Sequence, residues 1–130
     1  MSDRVVHFEV PFDDGDRARN FYKEIFGWQV MEMPEMNYTM VMSGPSGDNG
    51  PTEPGYINGG MTSKEFIPAT GPVVTIGVDD IDASLIKIEE AGGARLGEKT
   101  PVGEMGFAAY FRDTEGNVLG LWQNAPQGGS

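Results

Sequence analysis

The chain has 130 residues, no cysteine, and 20 acidic against 9 basic residues, which gives a net charge of −11. This length suits one domain that buries a core without disulfides or thiolate metal sites. The lysines and arginines are scattered and form no phosphate-binding cluster, so nucleic acid is not an expected partner. No apolar run approaches the ~20 residues of a membrane span, and the absence of cysteine favours a cytoplasmic location.

The first segment, Val5–Trp28, reads VVHFEVPFDDGDRARNFYKEIFGW. It predicts a strand of about six residues, an acidic turn and a helix. Asp16 is the predicted N-cap of this helix, and Gly27 is its predicted C-terminal stop. Apolar residues at helical spacing predict one stripe on this helix: Ala18, Phe21, Tyr22, Ile25 and Phe26.

His7 and Glu9 lie on the predicted first strand, and His7 is the only histidine of the chain. Residues two apart in a strand point to the same face. The pair could therefore bind a metal, carry out acid–base chemistry or line a pocket. The alternatives are a buried histidine bonded to Glu9 or to backbone, and an internal ion pair of Glu9 with Arg112 or Arg95.

The middle of the chain predicts three more strands at 28–31, 38–42 and 55–61, with a loop at Ser43–Pro54. Four methionines alternate along the first two of these strands: Met31, Met33, Met40 and Met42. They are predicted to fill gaps in the core, with the wall of an adaptable pocket as the alternative.

An internal repeat relates the two halves of the chain, because adding 66 to a residue number superimposes one on the other. Five identities fall in register: Asp13, Asp14, Asp16, Glu24 and Gly27 match Asp79, Asp80, Asp82, Glu90 and Gly93. The second half accordingly predicts a strand, a helix capped by Asp82, and a stop at Gly92–Gly93. The apolar stripe of this helix is Ile81, Leu85 and Ile88.

Strand-like runs at 94–96, 107–111 and 117–123 complete the second half. Each half therefore reads β-α-β-β-β. We predict a single domain over residues 1–130, made of two tandem modules at about 4–62 and 70–124.

FYKEIFGW (21–28) and DTEGNVLGLWQ (113–123) resemble segments of the glyoxalase/bleomycin resistance/dioxygenase superfamily, also called vicinal oxygen chelate. The similarity extends over Val5–Gln123. It implies an α+β fold in which two βαβββ modules form a cupped mixed sheet, with the helices on the outer face and a ligand site in the concavity. It also implies a homodimer. Some members chelate a divalent metal and isomerise or open substrates, whereas others only sequester a small molecule.

Metal-dependent members of this superfamily place four ligands by the repeat, two in each module. His7 matches the first of these positions, whereas the other three fall on Val73, Gly59 and Gly120, which carry no donor atom. Catalytic divalent metals in proteins normally have three or more protein ligands. We therefore expect no metal and no other cofactor, with a divalent metal as the alternative.

The resemblance and the strand alternation together give a candidate site. Glu9 and His7 are the candidate catalytic residues, and the candidate ligand-binding residues are His7, Glu9, Thr75, Tyr110, Val118, Gly120 and Trp122. The expected function is a glyoxalase-like protein with a metal-independent site for a small molecule. The alternatives are a metal-dependent lyase or isomerase resembling lactoylglutathione lyase, and a binding or resistance protein without catalysis.

Overall fold

The computed structural model describes residues 3–126. They form two compact units, residues 6–73 (the first unit) and residues from 74 onward together with the segment before residue 6 (the second unit). The elements in chain order are β1 Arg4–Phe12, α1 Gly15–Phe26, β2 Gln29–Met33, β3 Tyr38–Met42, β4 Ser46–Gly47, β5 Gly50–Pro51, β6 Gly59–Ser63, β7 Val73–Gly77, α2 Ile81–Glu90, β8 Ala94–Arg95, β9 Thr100–Val102, β10 Gly106–Arg112 and β11 Val118–Asn124. Neither helix, of 12 and 10 residues, has the length and apolar character that a membrane span needs.

The first unit has the strand order β2-β3-β6-β1. Strands β1 and β6 run parallel, whereas β3 runs antiparallel to both β2 and β6. The short antiparallel strands β4 and β5 form a separate ribbon within the predicted loop. The unit is therefore a βαβββ module with an inserted ribbon and a mixed sheet.

The second unit repeats this arrangement with the order β7-β11-β10-β8. Strands β7 and β11 run parallel, and β10 runs antiparallel to β11, β8 and β9. This unit is also a βαβββ module, to which β9 is added. The predicted α+β class with its two βαβββ modules is confirmed.

The helix starts correct one prediction of the sequence analysis. Asp16 and Asp82 are not the N-caps, because α1 and α2 begin two residues earlier than expected. The caps are Asp14 and Asp80, whose carboxylates each accept a hydrogen bond at 3.0 Å from the backbone N–H three residues on. Both predicted caps are two residues too late, and the observed caps, Asp14 and Asp80, are themselves 66 residues apart. The repeat therefore holds at the caps. The predicted stop at Gly27 is confirmed by its left-handed backbone (φ 71°).

The core of the second unit forms between α2 and one face of its sheet. The predicted stripe of α2 supplies Ile81 and Leu85, which are both fully buried. They pack with Ala109, Phe111 and Leu121 from strands β10 and β11. Ile88, the third residue of the stripe, packs at the edge of this cluster. The prediction for α2 is confirmed.

The predicted apolar stripe of α1 is not buried. No residue of α1 is buried, and three members of the stripe are more than half exposed: Phe21, Ile25 and Phe26. The helix instead contacts the sheet through Arg19, which donates to the Thr39 hydroxyl (3.2 Å) and to Asp16 (2.8 Å). The Tyr22 ring also stacks on Trp28 with centroids 4.9 Å apart. A polar anchor and an aromatic stack on Trp28 therefore take the place of the buried apolar stripe that the periodicity predicted.

Candidate functional site

Side chains alternate between the two faces of β1, and this alternation separates the apolar Phe8 from the polar His7 and Glu9. The Phe8 ring lies 5.6 Å from Trp28, beside the aromatic cluster of α1. His7 and Glu9 point to the opposite face of the sheet, away from α1, as predicted. We call this opposite face of the first unit's sheet the distal face.

Tyr38 joins His7 and Glu9 on the distal face. Its hydroxyl donates to Glu9 Oε2 at 2.8 Å and lies 2.8 Å from His7 Nε2. The His7 and Tyr38 rings are nearly parallel, with an interplanar angle of 19°. Glu9 is 8% exposed, so its carboxylate is held largely out of solvent. We call these three residues the distal triad.

Gly60 provides the space that the Tyr38 hydroxyl occupies. In the sheet register Gly60 lies directly opposite Glu9 on β1 and opposite Met40 on β3. A Cβ atom added at Gly60 would collide with the hydroxyl and the ring of Tyr38. Tyr38 therefore crosses β6 above a residue without a side chain and meets Glu9 on the next strand.

This register corrects the expectation for Gly59. Gly59 pairs with Phe8, and a Cβ atom added there would collide with the Phe8 carbonyl and ring. Gly59 thus points to the α1 side of the sheet, and Gly60 is the glycine on the distal face. The alignment of Gly59 with Gly120 was one residue out of register, which in a strand moves a side chain to the other face.

The four alternating methionines also lie on the distal face. Met40 pairs with Gly60 and with Met31, and Met33 pairs with Tyr38. Met42 follows Met40 by two residues and shares its face. None of the four is buried, and Met31 is 54% exposed. The prediction that they fill the core is wrong, since the buried methionine of this unit is Met61 on the α1 side.

The protonation of His7 follows from burial and charge. Burial lowers the pKa of His7 below its ordinary value, and the neighbouring Glu9 carboxylate opposes this shift in part. His7 is therefore neutral at neutral pH. A carboxylate, a phenol and a neutral imidazole together can orient a polar ligand or move a proton.

The donor set of the distal face does not fit a divalent metal site. Across residues 3–126, no three His, Asp or Glu side chains are grouped closely enough to hold an ion. His7 and Glu9 supply one imidazole and one carboxylate, and the Tyr38 hydroxyl contacts both of them. Catalytic zinc sites use three protein ligands. We derive no chemistry through a metal.

The remaining candidate residues share one face of the second unit's sheet, on the side away from α2. Gly120 pairs with Thr75 and with Tyr110, and a Cβ atom added at Gly120 would lie 2.8 Å from Thr75 Oγ1. Val118 and Trp122 share this face with Gly120 by alternation. The register thereby settles the orientation of Tyr110. Contact of these residues with a ligand stays a prediction, as it does for His7 and Glu9.

Two arginines considered as partners of Glu9 have other contacts within the second unit. Arg95 forms an ion pair with Glu89 at 3.0 Å, and Arg112 donates to the Gly116 carbonyl at 3.0 Å. The Glu9 carboxylate accepts instead from the phenol of Tyr38. The Tyr38 hydroxyl is thus a partner of Glu9 within its own unit.

Sequence reasoning missed Tyr38. The available signal was its alternation with Met40 and Met42 on a predicted strand, which places all three on one face. That alternation says nothing about which strand lies beside β3 or in which register. The contact with β1 depends on Gly60, 22 residues further along the chain, so it could not be read from local spacing.

Comparison with known proteins agrees with this architecture. Residues 4–44 match the family model for the N-terminal part of bleomycin resistance protein-like domains. A glyoxylase-like domain-containing protein of Didymella fabae is 32% identical over 88% of this chain and 89% of its own length. A probable lactoylglutathione lyase of Vibrio parahaemolyticus is 32% identical over 93% of this chain and 91% of its own length.

Solved structures share the fold at lower identity. Methylmalonyl-CoA epimerase from Mycobacterium tuberculosis has a TM-score of 0.60 at 16% identity, covering 94% of this chain and 88% of its own. A hypothetical protein from Bacillus halodurans has a TM-score of 0.64 at 14% identity, covering 96% of both chains. With its two βαβββ modules and these relatives, the chain belongs to the glyoxalase/bleomycin resistance/dioxygenase, or vicinal oxygen chelate, superfamily.

Proposed function

We propose that the distal face of the first unit binds a small organic molecule without a metal. The observation that carries this proposal is the Tyr38 hydroxyl, bonded to both Glu9 and His7 beside a row of methionines. Small-molecule sites combine an apolar wall with a few converging polar groups. The distal triad supplies the polar groups, and the flexible thioethers supply a wall that adapts to the ligand.

The triad also supports proton transfer in the bound molecule. Glu9 and His7 can each accept a proton, and the phenol between them can donate and accept hydrogen bonds. The site therefore supports a lyase or isomerase reaction that begins with removal of a proton, as well as binding without chemistry. Measured turnover of a bound molecule separates the enzyme from the binding protein.

A metal-dependent lyase is the second candidate, and the relative from Vibrio parahaemolyticus named as a probable lactoylglutathione lyase favours it. The shortage of donors around His7 and Glu9 argues against it. The purified protein should be assayed for lactoylglutathione lyase activity with and without added zinc or nickel. Metal-stimulated activity with stoichiometric metal bound at His7 would replace the first proposal.

A fragment screen by amide NMR tests the small-molecule site directly. The probes are neutral and cationic single-ring compounds, added to the isotope-labelled protein with and without a chelator. We expect hits to shift the amide signals of Glu9, Tyr38 and Gly60, and Glu9→Gln to weaken their binding at least tenfold. The chelator should change nothing.

Glu89→Gln is the matched control for this screen, because Glu89 is a carboxylate of the second unit that pairs with Arg95. It should bind the same fragments as the unmodified protein. Hits that map only to the α1 side of the sheet, or that bind Glu9→Gln unchanged, would refute the site.

We further propose that the protein is a homodimer. The family resemblance implies it, and exposed apolar side chains on α1 support it: Phe21, Ile25 and Phe26. Light scattering at micromolar concentration should give twice the chain mass of 14.1 kDa. A mass equal to one chain would reject the dimer.

A further inference from the structure

The hydrogen bonds of the distal triad run in one direction. Tyr38 has a single hydroxyl proton, and this proton is donated to Glu9 Oε2 at 2.8 Å. Glu9 Oε2 accepts this bond, so the one hydroxyl proton of Tyr38 is committed to Glu9. The Tyr38 oxygen must then accept from its other neighbour, His7 Nε2, which lies 2.8 Å away.

This direction determines the tautomer of His7. A neutral imidazole carries one proton, and the bond to Tyr38 places that proton on Nε2. The lone pair is then on Nδ1. Burial lowers the pKa of His7, which keeps the ring in this neutral form at neutral pH.

Nδ1 of His7 is accessible. The bond to Tyr38 is the hydrogen bond that the His7 ring makes within residues 3–126, and it uses Nε2. In the same part of the chain, no buried side-chain nitrogen or oxygen atom lacks a hydrogen-bond partner. Nδ1 has no such partner, so it is not fully enclosed and keeps some exposure to solvent.

We propose that His7 Nδ1 is the atom that accepts a hydrogen bond from the ligand, and that Tyr38 and Glu9 position it. This inference rests on the proposed small-molecule site and assigns roles within it. Glu9 acts through Tyr38: its charge orients the phenol, and the phenol fixes the imidazole. The order carboxylate, phenol, imidazole follows the logic of a catalytic triad, in which an acid orients the base through a hydrogen bond. The ligand accordingly carries an N–H or O–H donor.

The single histidine of the chain makes this assignment measurable without a ligand. Long-range ¹H–¹⁵N spectra of the labelled protein, above the His7 pKa, report which ring nitrogen carries the proton. We expect the Nε2–H form, with an unprotonated Nδ1. A spectrum dominated by the Nδ1–H form would overturn the proposal, whereas the fragment screen above could still succeed.

The pH titration of the same His7 signals tests the role of Tyr38. In Tyr38→Phe the imidazolium loses its acceptor, so the His7 pKa should fall below that of the unmodified protein. In Glu9→Gln it should fall as well, because the carboxylate that raises it is gone. On the strands of residues 6–73, Glu9 and Tyr38 are the titratable groups that contact the His7 ring.

Tyr22→Phe is the matched control, because it removes a phenol hydroxyl from the aromatic cluster on the α1 side. It should titrate like the unmodified protein. A Tyr38→Phe protein with an unchanged His7 pKa would show that the phenol does not couple the two residues. If Tyr38→Phe fails to fold, the tautomer of the unmodified protein still decides the question.

Discussion

The two helices occupy the same place in the repeat but contact their sheets in different ways. The positions of Ile81 and Leu85, the fully buried residues of α2, correspond to Gly15 and Arg19 in α1, since 15 + 66 = 81 and 19 + 66 = 85. A Cβ atom on Gly15 would lie 2.9 Å from Arg19 Nη1, so the glycine makes room for the guanidinium. The helix of one module thus packs by apolar burial, and the helix of the other is held by a polar anchor and an aromatic stack.

The distal face of the first unit and the face of the second unit's sheet away from α2 differ in the opposite sense, because here the first unit is the one with polar side chains. The position of Glu9 corresponds to Thr75, and that of His7 to the buried Val73. Gly60 pairs with Met40, and Gly120, at the matching position of the second unit, pairs with Tyr110. Tyr38 lies two residues before Met40, so its counterpart two residues before Tyr110 is Ala108. The two copies of one plan therefore differ: the corresponding positions are apolar or small in the second unit, whereas the first unit carries ionisable groups there.

The largest expected difference between the units is in how much a helix side chain contributes to the free energy of unfolding. Leu85→Ala removes a fully buried side chain from the α2 core and should lower the free energy of unfolding by about 2–5 kcal/mol. Ile25→Ala, on the exposed side of α1, should cost about 0.5 kcal/mol or less at a protein concentration low enough to keep the proposed dimer dissociated. Urea unfolding of both variants measures the two effects, and equal losses would show that α1 also carries a buried core.

Gly60 on the distal face and Gly120 at the matching position of the second unit should respond unequally to alanine. Gly60→Ala forces the Tyr38 ring away from Glu9 and His7, and we expect a loss of about 1–3 kcal/mol. Gly120→Ala meets only the Thr75 hydroxyl at 2.8 Å and should cost less. Unfolding free energies compare the variants, and NMR of His7 should change only in Gly60→Ala. A stable Gly60→Ala protein with an unaltered His7 spectrum would contradict the packing of Tyr38 over this position.

Arg19→Ala tests whether the polar anchor stabilises the first unit. The substitution removes the donor to Thr39, a buried residue, and we expect a loss of about 1–2 kcal/mol. The contribution of the pair with exposed Asp16 should be small. Arg17→Ala, on the same helix but exposed, is the control and should leave the unfolding midpoint within error. A neutral Arg19→Ala would mean that α1 is held by its aromatic contacts alone.

The smallest expected effect is a dependence of stability on pH. The His7 pKa is lowered on folding from an unfolded value of about 6.5, so below that pH the unfolded chain binds more protons than the native one. Stability is then fully present above about pH 6.5 and falls as the pH drops towards the folded pKa. His7→Gln removes this contribution, so its unfolding free energy should vary less over that window. Parallel pH profiles for the two proteins would contradict the depressed pKa.

The period of each element and the offset between the halves were enough to predict the βαβββ modules and the stop at Gly27, and the family resemblance added the α+β class. They were enough because caps, helical stripes and strand alternation depend on residues close together in the chain. The same local rule placed His7 and Glu9 on one face. Local reasoning placed the N-caps two residues too late, at Asp16 and Asp82, because each turn holds several acidic residues that could act as the cap.

By itself, the sequence determined the two modules, the family and the shared face of His7 and Glu9. Tertiary structure alone decided that Tyr38 bridges the pair, that Gly60 rather than Gly59 faces the distal side, and that Arg19 anchors α1. Each of these depends on which strands become neighbours and in which register. The strands concerned are separated in the sequence by the inserted ribbon and its loops. The alternation within one strand therefore does not tell which residue of the next strand it pairs with.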